Sequence, residues 1–493
     1  MMISGAQLYF VATKPLKPSG DGIVLISSKR SFEHIRQRMN DDGSSDLAVR
    51  TFEHYFRQLH EGRTGLIRET DIQPVESLPD LSELAAHELA GKESLSQCLM
   101  VKLNGGLGTS MGLNRAKSLL PVRDQQNFLD LITQQVLYLR RQHQQTLPLL
   151  LMNSYATHSD SMALLKKTPS LAAGQAPLPV AFLQNRVPRL DLETLEPVIW
   201  PESPEREWCP PGHGDIYTAL VASGLLDQLL SAGYRFAFVS NADNLGATLD
   251  LRILGWMAKE ELPFVMEVTD RTPADRKGGH LAQDHSGALR LREAAQCPPE
   301  ERDLFQDIER YRYFNTNNLW INLETLADEM NRHDGILGLP IIRNVKHVVP
   351  EDPTTPRCVQ VETAMGSALE VFSGAKILRV PRSRFAPVKT TNDLLALRSD
   401  RFRIEESGQV CAMADQTINI DLDAEHFGNL ADFDSRFQNG APSLRNAEHF
   451  QVHGDIRFGS DVRILGRVVL HNAGSEPRII EDGTVLDNVS EGF

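Results

Sequence analysis

The chain has 493 residues, and at roughly 100–200 residues per domain this length predicts two to four domains. Apolar residues make up 41% and charged residues 24%, an ordinary globular composition that argues against disordered, collagen-like or coiled-coil chains. The formal charge of −14 argues against non-specific binding to nucleic acid or to an anionic membrane. Any anionic ligand must therefore be held by local positive charge.

The cysteines and the apolar runs predict a cytoplasmic protein. Five cysteines are scattered along the chain, without a CxxC pair that would indicate a zinc or redox site. The N-terminal stretch MMISGAQLYFVATK lacks a sustained apolar segment, and no apolar run approaches the roughly 18 residues of a membrane span. We therefore expect a reducing compartment and no membrane contact.

Sequence texture divides the chain into three predicted domains. Residues 1–95 contain helical patterns such as DLAVRTFEHYFRQLHEG, and we interpret this segment as structural or regulatory. Residues 96–400 alternate short apolar runs, such as CLMVKL, RFAFVSNAD and FNTNNLWINL, with helical stretches. That alternation predicts an α/β domain with a mostly parallel sheet, in which ligands bind at the carboxyl ends of the strands.

Residues 401–493 show a different periodicity. Ile456, Val462 and Val468 recur at a spacing of six, and Ile480 falls on the same count. A six-residue apolar period with interspersed glycines is typical of a β-helix, in which each coil buries its aliphatic residue against the next. An antiparallel meander is the alternative interpretation.

A glycine-rich loop follows the first predicted strand of the α/β domain. In NGGLGTSMGLNRAKSLLPV, glycines 105, 106, 108 and 112 precede a stretch that we interpret as helical. Glycines let backbone N–H groups approach a ligand, and a helix N-terminus would add positive potential, so the loop is typical of a phosphate or nucleotide cradle. It is neither a Walker A loop nor a good dinucleotide fingerprint, since Gly-Lys-Ser/Thr is absent and Met111 replaces the third glycine. Lys117 could bring a point charge to the phosphates.

The motif KLNGGLGTSMG followed by AKSLLPV resembles the signature loop of the eukaryotic-type UTP–glucose-1-phosphate uridylyltransferases. Further blocks follow in the same order over nearly all of residues 97–400: FLQNRVPR, WCPPGHGDIY, SNADNLGA, EVTDRTPADRKGGHL, FNTNNLWINL, VETAMGSALEVF and VPRSRFAPVKTTNDLL. The resemblance implies a Rossmann-like, GT-A-like nucleotidyltransferase domain with a mixed, mostly parallel sheet, and a C-terminal left-handed β-helix.

The resemblance also implies a reaction and its participants. Glucose 1-phosphate would attack the α-phosphorus of UTP, giving UDP-glucose and pyrophosphate. Two anions must then meet, which calls for positive charge and N–H donors rather than a nucleophilic triad. The implied cofactor is Mg²⁺, which needs few protein ligands because phosphates and water supply the others.

Motif positions imply the site residues. The implied UTP contacts are Leu103, Asn104, Gly105, Gly106, Lys117, Gln184, Gly212, Asp243 and Lys389. The implied sugar-phosphate contacts are His213, Asn241 and Asn317. Among these residues, Asp243 would hold the metal, Gln184 would read the uracil, and Lys117 and Lys389 would be catalytic by offsetting phosphate charge.

Outside the resemblance, plainer interpretations remain open for several of these residues. Asp243 could belong to an Asx turn at a strand end, and Lys389 to a basic surface loop. Gln184 could be a satisfied core amide and His213 a structural histidine.

The sequence departs from the family in three places, the smallest of which is Ala242 in place of the more usual serine. Asn114, Arg115 and Ala116 stand before Lys117 where the family usually has Lys-Gly-Pro, so a less rigid loop is expected. The tail ends early, at DNVSEGF, which argues against the large assemblies that the last strand mediates in some family members, although self-association is still possible.

Rival functions are also open. The chain could be a UDP-sugar pyrophosphorylase of broader specificity, or a catalytically silent protein that binds nucleotide sugars. A nicotinamide-dependent oxidoreductase is a more distant alternative.

Overall fold

The computed structural model describes residues 32–123, 125–413 and 418–492. The N-terminal stretch MMISGAQLYFVATK lies outside the described residues. Among the residues that are described, no helix combines the length and apolarity needed to cross a bilayer.

The N-terminal helices pack onto the rest of the chain. Residues 32–41 form one helix and Asp46–His60 the next, whose N-terminus is capped by Ser45 accepting from the Ala48 N–H at 3.1 Å. Their apolar faces share a core cluster with Val187, Leu190, Cys209, Ile341, Val359 and Val361 of the middle segment. These helices therefore pack on one side of the α/β segment, and their apolar residues share this core cluster with it.

The middle of the chain is an α/β structure around a mixed, largely parallel sheet. The described strands of this sheet are Ile72–Gln73, Cys98–Asn104, Leu149–Asn153, Ala181–Leu183, Phe236–Asn241, Phe264–Asp270, His280–Asp284, Leu289–Arg292, Tyr313–Asn322 and Lys376–Arg379. Phe236–Asn241, Cys98–Asn104, Leu149–Asn153 and Ala181–Leu183 pair in parallel in that order. Tyr313–Asn322 runs antiparallel to Phe236–Asn241 and also pairs antiparallel with Phe264–Asp270.

Helices cover both faces of the sheet, so the central strands are buried on both sides. The strand Cys98–Asn104 illustrates this, because Cys98, Leu99, Met100 and Val101 are all at most 1% exposed.

The α-helices after His60 are Glu88–Ser94, Phe128–His143, Tyr155–Leu165, Pro169–Ala173, Ile216–Ala222, Leu225–Ser231, Leu251–Lys259, Arg302–Phe305, Leu323–Arg332, Thr391–Arg398, Ala424–Phe427 and Leu430–Arg436.

Short strands surround this sheet. They are Pro121–Arg123, Gln126–Asn127, Val187–Pro188, Leu190–Asp191, Trp208–Cys209, Ile341–His347, Arg357–Thr363, Phe402–Ile404 and Val410–Ala412. Arg357–Thr363 pairs with Ile341–His347 and Leu190–Asp191, and this small sheet supports the N-terminal helices.

Strands at the C-terminus pair in parallel. They are Asn419–Leu422, Ser443–His453, Ile456–Phe458, Arg463–His471, Arg478–Ile480, Val485–Asp487 and Ser490–Gly492. Phe450 pairs with Val468, and Phe458 with Ile480, so strands about twenty residues apart in the chain lie side by side. The aliphatic residues of the six-residue pattern, Ile456, Val462, Val468 and Ile480, are all at most 6% exposed. Because every described pairing among these strands is parallel, the antiparallel meander is wrong.

Candidate active site

The glycine-rich loop closes on itself through backbone hydrogen bonds. Lys117 N–H donates to the Gly106 carbonyl at 3.1 Å, and Gly108 N–H donates to the Arg115 carbonyl at 3.3 Å. At Gly105 a β-carbon would lie 3.0 Å from the Gln184 side-chain nitrogen, so the absence of a side chain lets the loop touch that amide. The loop therefore presents main chain to the space beside Gln184.

The expected helix directly after this loop is absent. Short 3₁₀ turns occupy Thr109–Met111 and Lys117–Leu119, and the α-helix begins only at Phe128. Pro121 starts a two-stranded ladder, Pro121–Arg123 with Gln126–Asn127, which interrupts the helical pattern. Asn127, whose side chain accepts from the Asp130 N–H, then caps the helix. Positive potential from that helix N-terminus therefore cannot be assigned to the loop.

Strand register brings Asp243 to the glycine-rich loop. Asn241 pairs with Leu103 in parallel strands, and Ala242 N–H donates to the Leu103 carbonyl at 3.0 Å. The next residue, Asp243, accepts from Lys117 through its Oδ2, at 2.7 Å from Nζ. The carboxyl ends of two neighbouring strands thus place the carboxylate and this lysine in contact.

Asp243 also carries an unused oxygen. Its Oδ1 is buried and has no hydrogen-bond partner, and only 20% of its side chain is exposed. A buried carboxylate oxygen without a partner is costly unless a ligand completes it. Among the described residues there is no group of three or more His, Cys, Asp or Glu side chains suited to a metal. A hard cation with one protein carboxylate, completed by phosphates and water, fits this donor set.

His213 is held as a neutral ring. Its Nδ1 accepts from the Met365 N–H at 3.0 Å, and burial lowers the pKa of His213 to about 4. A neutral imidazole with an accepting Nδ1 carries its proton on Nε2, which makes Nε2 a hydrogen-bond donor. The preceding Gly212 has φ of 80°, and a β-carbon there would lie 2.4 Å from the Thr363 carbonyl oxygen, so the turn accepts glycine alone.

One cavity of about 290 Å³ brings most of the predicted site residues together. Its lining includes Leu103, Asn104, Gly105, Gly106, Lys117, Gln184, Gly212, His213, Asn241 and Asp243. One place in the fold therefore contains the groups that the sequence predicts for the site: the glycine-rich loop, the FLQN and PPGHGD motifs, and the strand end at Asn241.

Lys389 and Asn317 lie outside that lining. The main chain next to Lys389 reaches Asp243, since Val388 N–H donates to the Asp243 carbonyl at 3.1 Å. The Lys389 ammonium nitrogen lies 5.7 Å from the centre of the Phe314 ring. Asn317 has φ of 57° in an irregular part of the strand Tyr313–Asn322, where its Oδ1 accepts from Asn315 Nδ2 at 2.9 Å. Both residues thus belong to a second polar group beside the cavity.

Glu293 belongs to the same group, and sequence reasoning missed it. Burial raises the pKa of Glu293, while a hydrogen bond from Asn315 and the charge of Lys389 act in the opposite direction. A β-carbon at Gly279 would lie 2.5 Å from the Glu293 carboxylate, so that glycine makes room for it. Nothing in the local sequence REAAQ distinguishes this glutamate from a surface residue.

Lys102 is a second missed residue, although a signal was present. It lies within the apolar run CLMVKL and is completely buried. Its Nζ donates to Ser240 Oγ at 2.7 Å and to the Ala247 carbonyl at 2.8 Å, and burial lowers the pKa of Lys102 to about 7. A lysine inside a buried strand is rare enough to flag from sequence alone.

Comparison with known proteins identifies the family of the chain. The family described as UTP–glucose-1-phosphate uridylyltransferase matches residues 49–465. The chain belongs to this family. The enzyme of that name from Saccharomyces cerevisiae is 40% identical over 419 residues, covering 83% of this chain and 82% of the relative. The one from Encephalitozoon cuniculi is 35% identical over 474 residues, covering 95% and 92%.

Solved structures of the family superpose closely. A UDP-glucose phosphorylase from Trypanosoma brucei has 42% identity and a TM-score of 0.87, covering 94% of this chain and all of the other. A point mutant of UDP-glucose pyrophosphorylase from Leishmania major, solved with UDP-glucose, has 41% identity and a TM-score of 0.87, covering 94% and 99%. Because each structure covers 94% of this chain, the similarity in fold is not confined to the α/β segment.

Proposed function

We propose that the cavity beside the glycine-rich loop is where this uridylyltransferase joins its two substrates. The enzyme converts UTP and glucose 1-phosphate into UDP-glucose and pyrophosphate. A phosphate oxygen of glucose 1-phosphate forms a bond to the α-phosphorus of UTP. The bond from that phosphorus to the oxygen bridging to the β-phosphate breaks, and pyrophosphate leaves with the electron pair.

The observation that carries the site assignment is the contact between Lys117 and Asp243 at 2.7 Å, with the other Asp243 oxygen unpartnered. Lys117 would contact the phosphates of UTP, and Lys389 those of both substrates. Each ammonium would offset charge on oxygens around the α-phosphorus. Asp243 Oδ1 would hold Mg²⁺, which when bound lowers the cost of bringing two phosphates together.

The nucleoside would lie against main chain and one amide. Gln184 can donate to and accept from the uracil edge, and Gly212 offers backbone groups beside it. Main-chain groups of the glycine-rich loop, from Leu103, Asn104, Gly105 and Gly106, would contact UTP. The close approach of Gly105 to Gln184 supports this placement.

The sugar phosphate would lie towards the second polar group. His213 would donate from Nε2 to a sugar or phosphate oxygen, and Asn241 and Asn317 would bind hydroxyls. We add Glu293 to this set, because its buried carboxylate accepts from Asn315 and lies near the charge of Lys389. Fixed polar partners of this kind can discriminate strongly between sugars that differ in one hydroxyl.

We further propose that residues 401–493 are a C-terminal domain whose strands from Asn419 onward form a left-handed β-helix, supported by the parallel pairing of those strands. Residues 96–400 would be the catalytic domain, with residues 1–95 as an N-terminal structural segment. A cytoplasmic location is supported by five cysteines that are all free. Self-association of the chain stays a hypothesis.

A pyrophosphate-release assay tests the function. With UTP, Mg²⁺ and glucose 1-phosphate the chain should release pyrophosphate, and Asp243→Ala should lose most turnover while keeping its fold. Galactose 1-phosphate and N-acetylglucosamine 1-phosphate, assayed in parallel, separate a narrow enzyme from a broader UDP-sugar pyrophosphorylase. Binding of UDP-glucose without release from any sugar phosphate would indicate the silent binding protein instead.

A further inference from the structure

Asp243 and Lys389 come from distant segments, so contacts between those segments must fix their relative position. Asp243 follows the strand Phe236–Asn241, and Lys389 precedes the helix Thr391–Arg398. The main-chain hydrogen bond from Val388 to the Asp243 carbonyl joins the segments. This bond belongs to a short antiparallel bridge between Asn244 and Pro387, which aligns the two main chains at this one point.

The side chain of Asn244 supplies the further constraints. Its Oδ1 accepts from the Ala386 N–H at 3.0 Å. Its Nδ2 donates to the Arg384 carbonyl at 3.2 Å and to Asn318 Oδ1 at 3.3 Å. The side chain is only 1% exposed, so water does not compete for these bonds. One amide therefore joins the end of the Asp243 strand, the segment before Lys389 and the strand that carries Asn318.

The partners of Asn244 are themselves firmly held. Asn318 Nδ2 donates to Glu267 at 3.1 Å, and Trp320 Nε1 donates to Glu267 at 2.8 Å. The guanidinium of Arg384 forms two bonds to the same carboxylate, at 2.8 and 2.6 Å. Glu267 is fully buried, and a bidentate arginine–carboxylate pair in such surroundings has a well-defined geometry. Asn244 is thus fastened to a rigid base in the sheet.

We propose that Asn244 is a positioning residue for uridylyl transfer, because its amide fixes Asp243 relative to the segment that carries Lys389. This inference rests on the proposed function, in which those two residues act on the phosphates. Groups that contact the nucleoside, such as Gln184, lie on other elements. Loss of the Asn244 amide should therefore affect turnover far more than binding.

The first experiment measures turnover and product binding separately. Asn244→Ala should lower kcat about 100-fold, the cost of a roughly 1 Å misplacement of reacting groups. Its Kd for UDP-glucose, measured by calorimetry, should stay within about threefold of wild type because the nucleoside contacts remain. Asn472→Ala is the matched control: this buried C-terminal amide also accepts one bond and donates two, far from the cavity. Its kcat should be unchanged.

The second experiment is a double-mutant cycle with Lys389→Ala. A residue that acts by aligning Lys389 loses its effect when that lysine is absent, so Asn244→Ala should then lower kcat by less than about threefold. Full turnover of Lys389→Ala alone would refute the site assignment. Equal losses in both backgrounds, wild-type kcat in Asn244→Ala, or a matching loss of UDP-glucose affinity would overturn the positioning role. If Asn244→Ala fails to fold, Asn244→Ser leaves a smaller void, its single hydroxyl cannot donate both bonds, and it is measured identically.

Discussion

Asp215 gives a prediction about stability whose size follows from its surroundings. Asp215 follows the Gly212 turn, and its N–H donates to the Gly212 carbonyl at 3.3 Å. Its side chain is 5% exposed and lines a small cavity that also borders the helix Asp46–His60. Its carboxylate accepts from the backbone N–H of Asn185 at 2.6 Å and from Asn185 Nδ2 at 2.8 Å. Burial raises the pKa of Asp215 from 3.8 to about 7, although the two hydrogen bonds act in the opposite direction.

The sign of the effect follows from comparing folded and unfolded chains. Between pH 4 and 7 the folded chain keeps a proton on Asp215 that the unfolded chain has released. The stability contributed by this group is therefore full below about pH 4 and is lost as pH rises through 7. At about 1.4 kcal/mol per pH unit, the loss between pH 5 and pH 8 is about 2–3 kcal/mol.

The substitution Asp215→Asn removes the titrating group and keeps its shape. The free energy of unfolding of the variant minus that of wild type, both measured with urea, should shift by about 2–3 kcal/mol in favour of the variant from pH 5 to pH 8. Subtracting the wild type cancels the other titrating groups. Asp284→Asn is the control: hydrogen bonds, chiefly from Ser286, lower the pKa of Asp284 to about 2, so its difference should be flat over this range. A flat difference for Asp215→Asn as well would refute the reasoning.

Three further substitutions test separate parts of the structure. Gln184→Ala should raise KM for UTP about tenfold with kcat retained, as expected for a lost base contact in initial-rate assays. Lys117→Met should lower kcat at least about 100-fold in the pyrophosphate-release assay, because a transition-state charge is lost; wild-type turnover would contradict its assigned role. Ile456→Ala should cost about 2–5 kcal/mol in urea unfolding, since that side chain is fully buried among the parallel C-terminal strands.

The strands that form the cavity could be predicted because their signal is local. Runs such as CLMVKL and RFAFVSN are short, apolar and followed by polar residues, and both became buried parallel strands. Once two neighbouring strands are parallel, their carboxyl ends meet at one edge. The contact between Lys117 and Asp243 follows from that rule together with the glycine-rich loop.

The second polar group could not be predicted in the same way. Asn317 lies where the strand Tyr313–Asn322, antiparallel to Phe264–Asp270, contains an irregularity opposite Glu267 and Val268, and Asn315 on the same strand bonds to Glu293. Such a register depends on packing between distant segments, and a shift of one residue would turn Asn317 to the other face. The strand was evident in FNTNNLWINL, whereas the choice of Asn317 among its three asparagines rests on motif position alone.

The loop before Lys117 lacks the family's Gly-Pro but is restrained by main-chain pairing. Loss of the family's Gly-Pro predicts a looser loop, since proline fixes its own backbone angle. In the structure, Ala116 forms an antiparallel bridge with Leu107, and the bonds from Gly108 and Lys117 close the loop on either side of it. Ala116 is completely buried, and neither of these bonds uses its own N–H or carbonyl, so the loop is closed whichever residue stands there. Main-chain pairing therefore restrains the direction from which Lys117 reaches Asp243, and the substitution need not weaken the site.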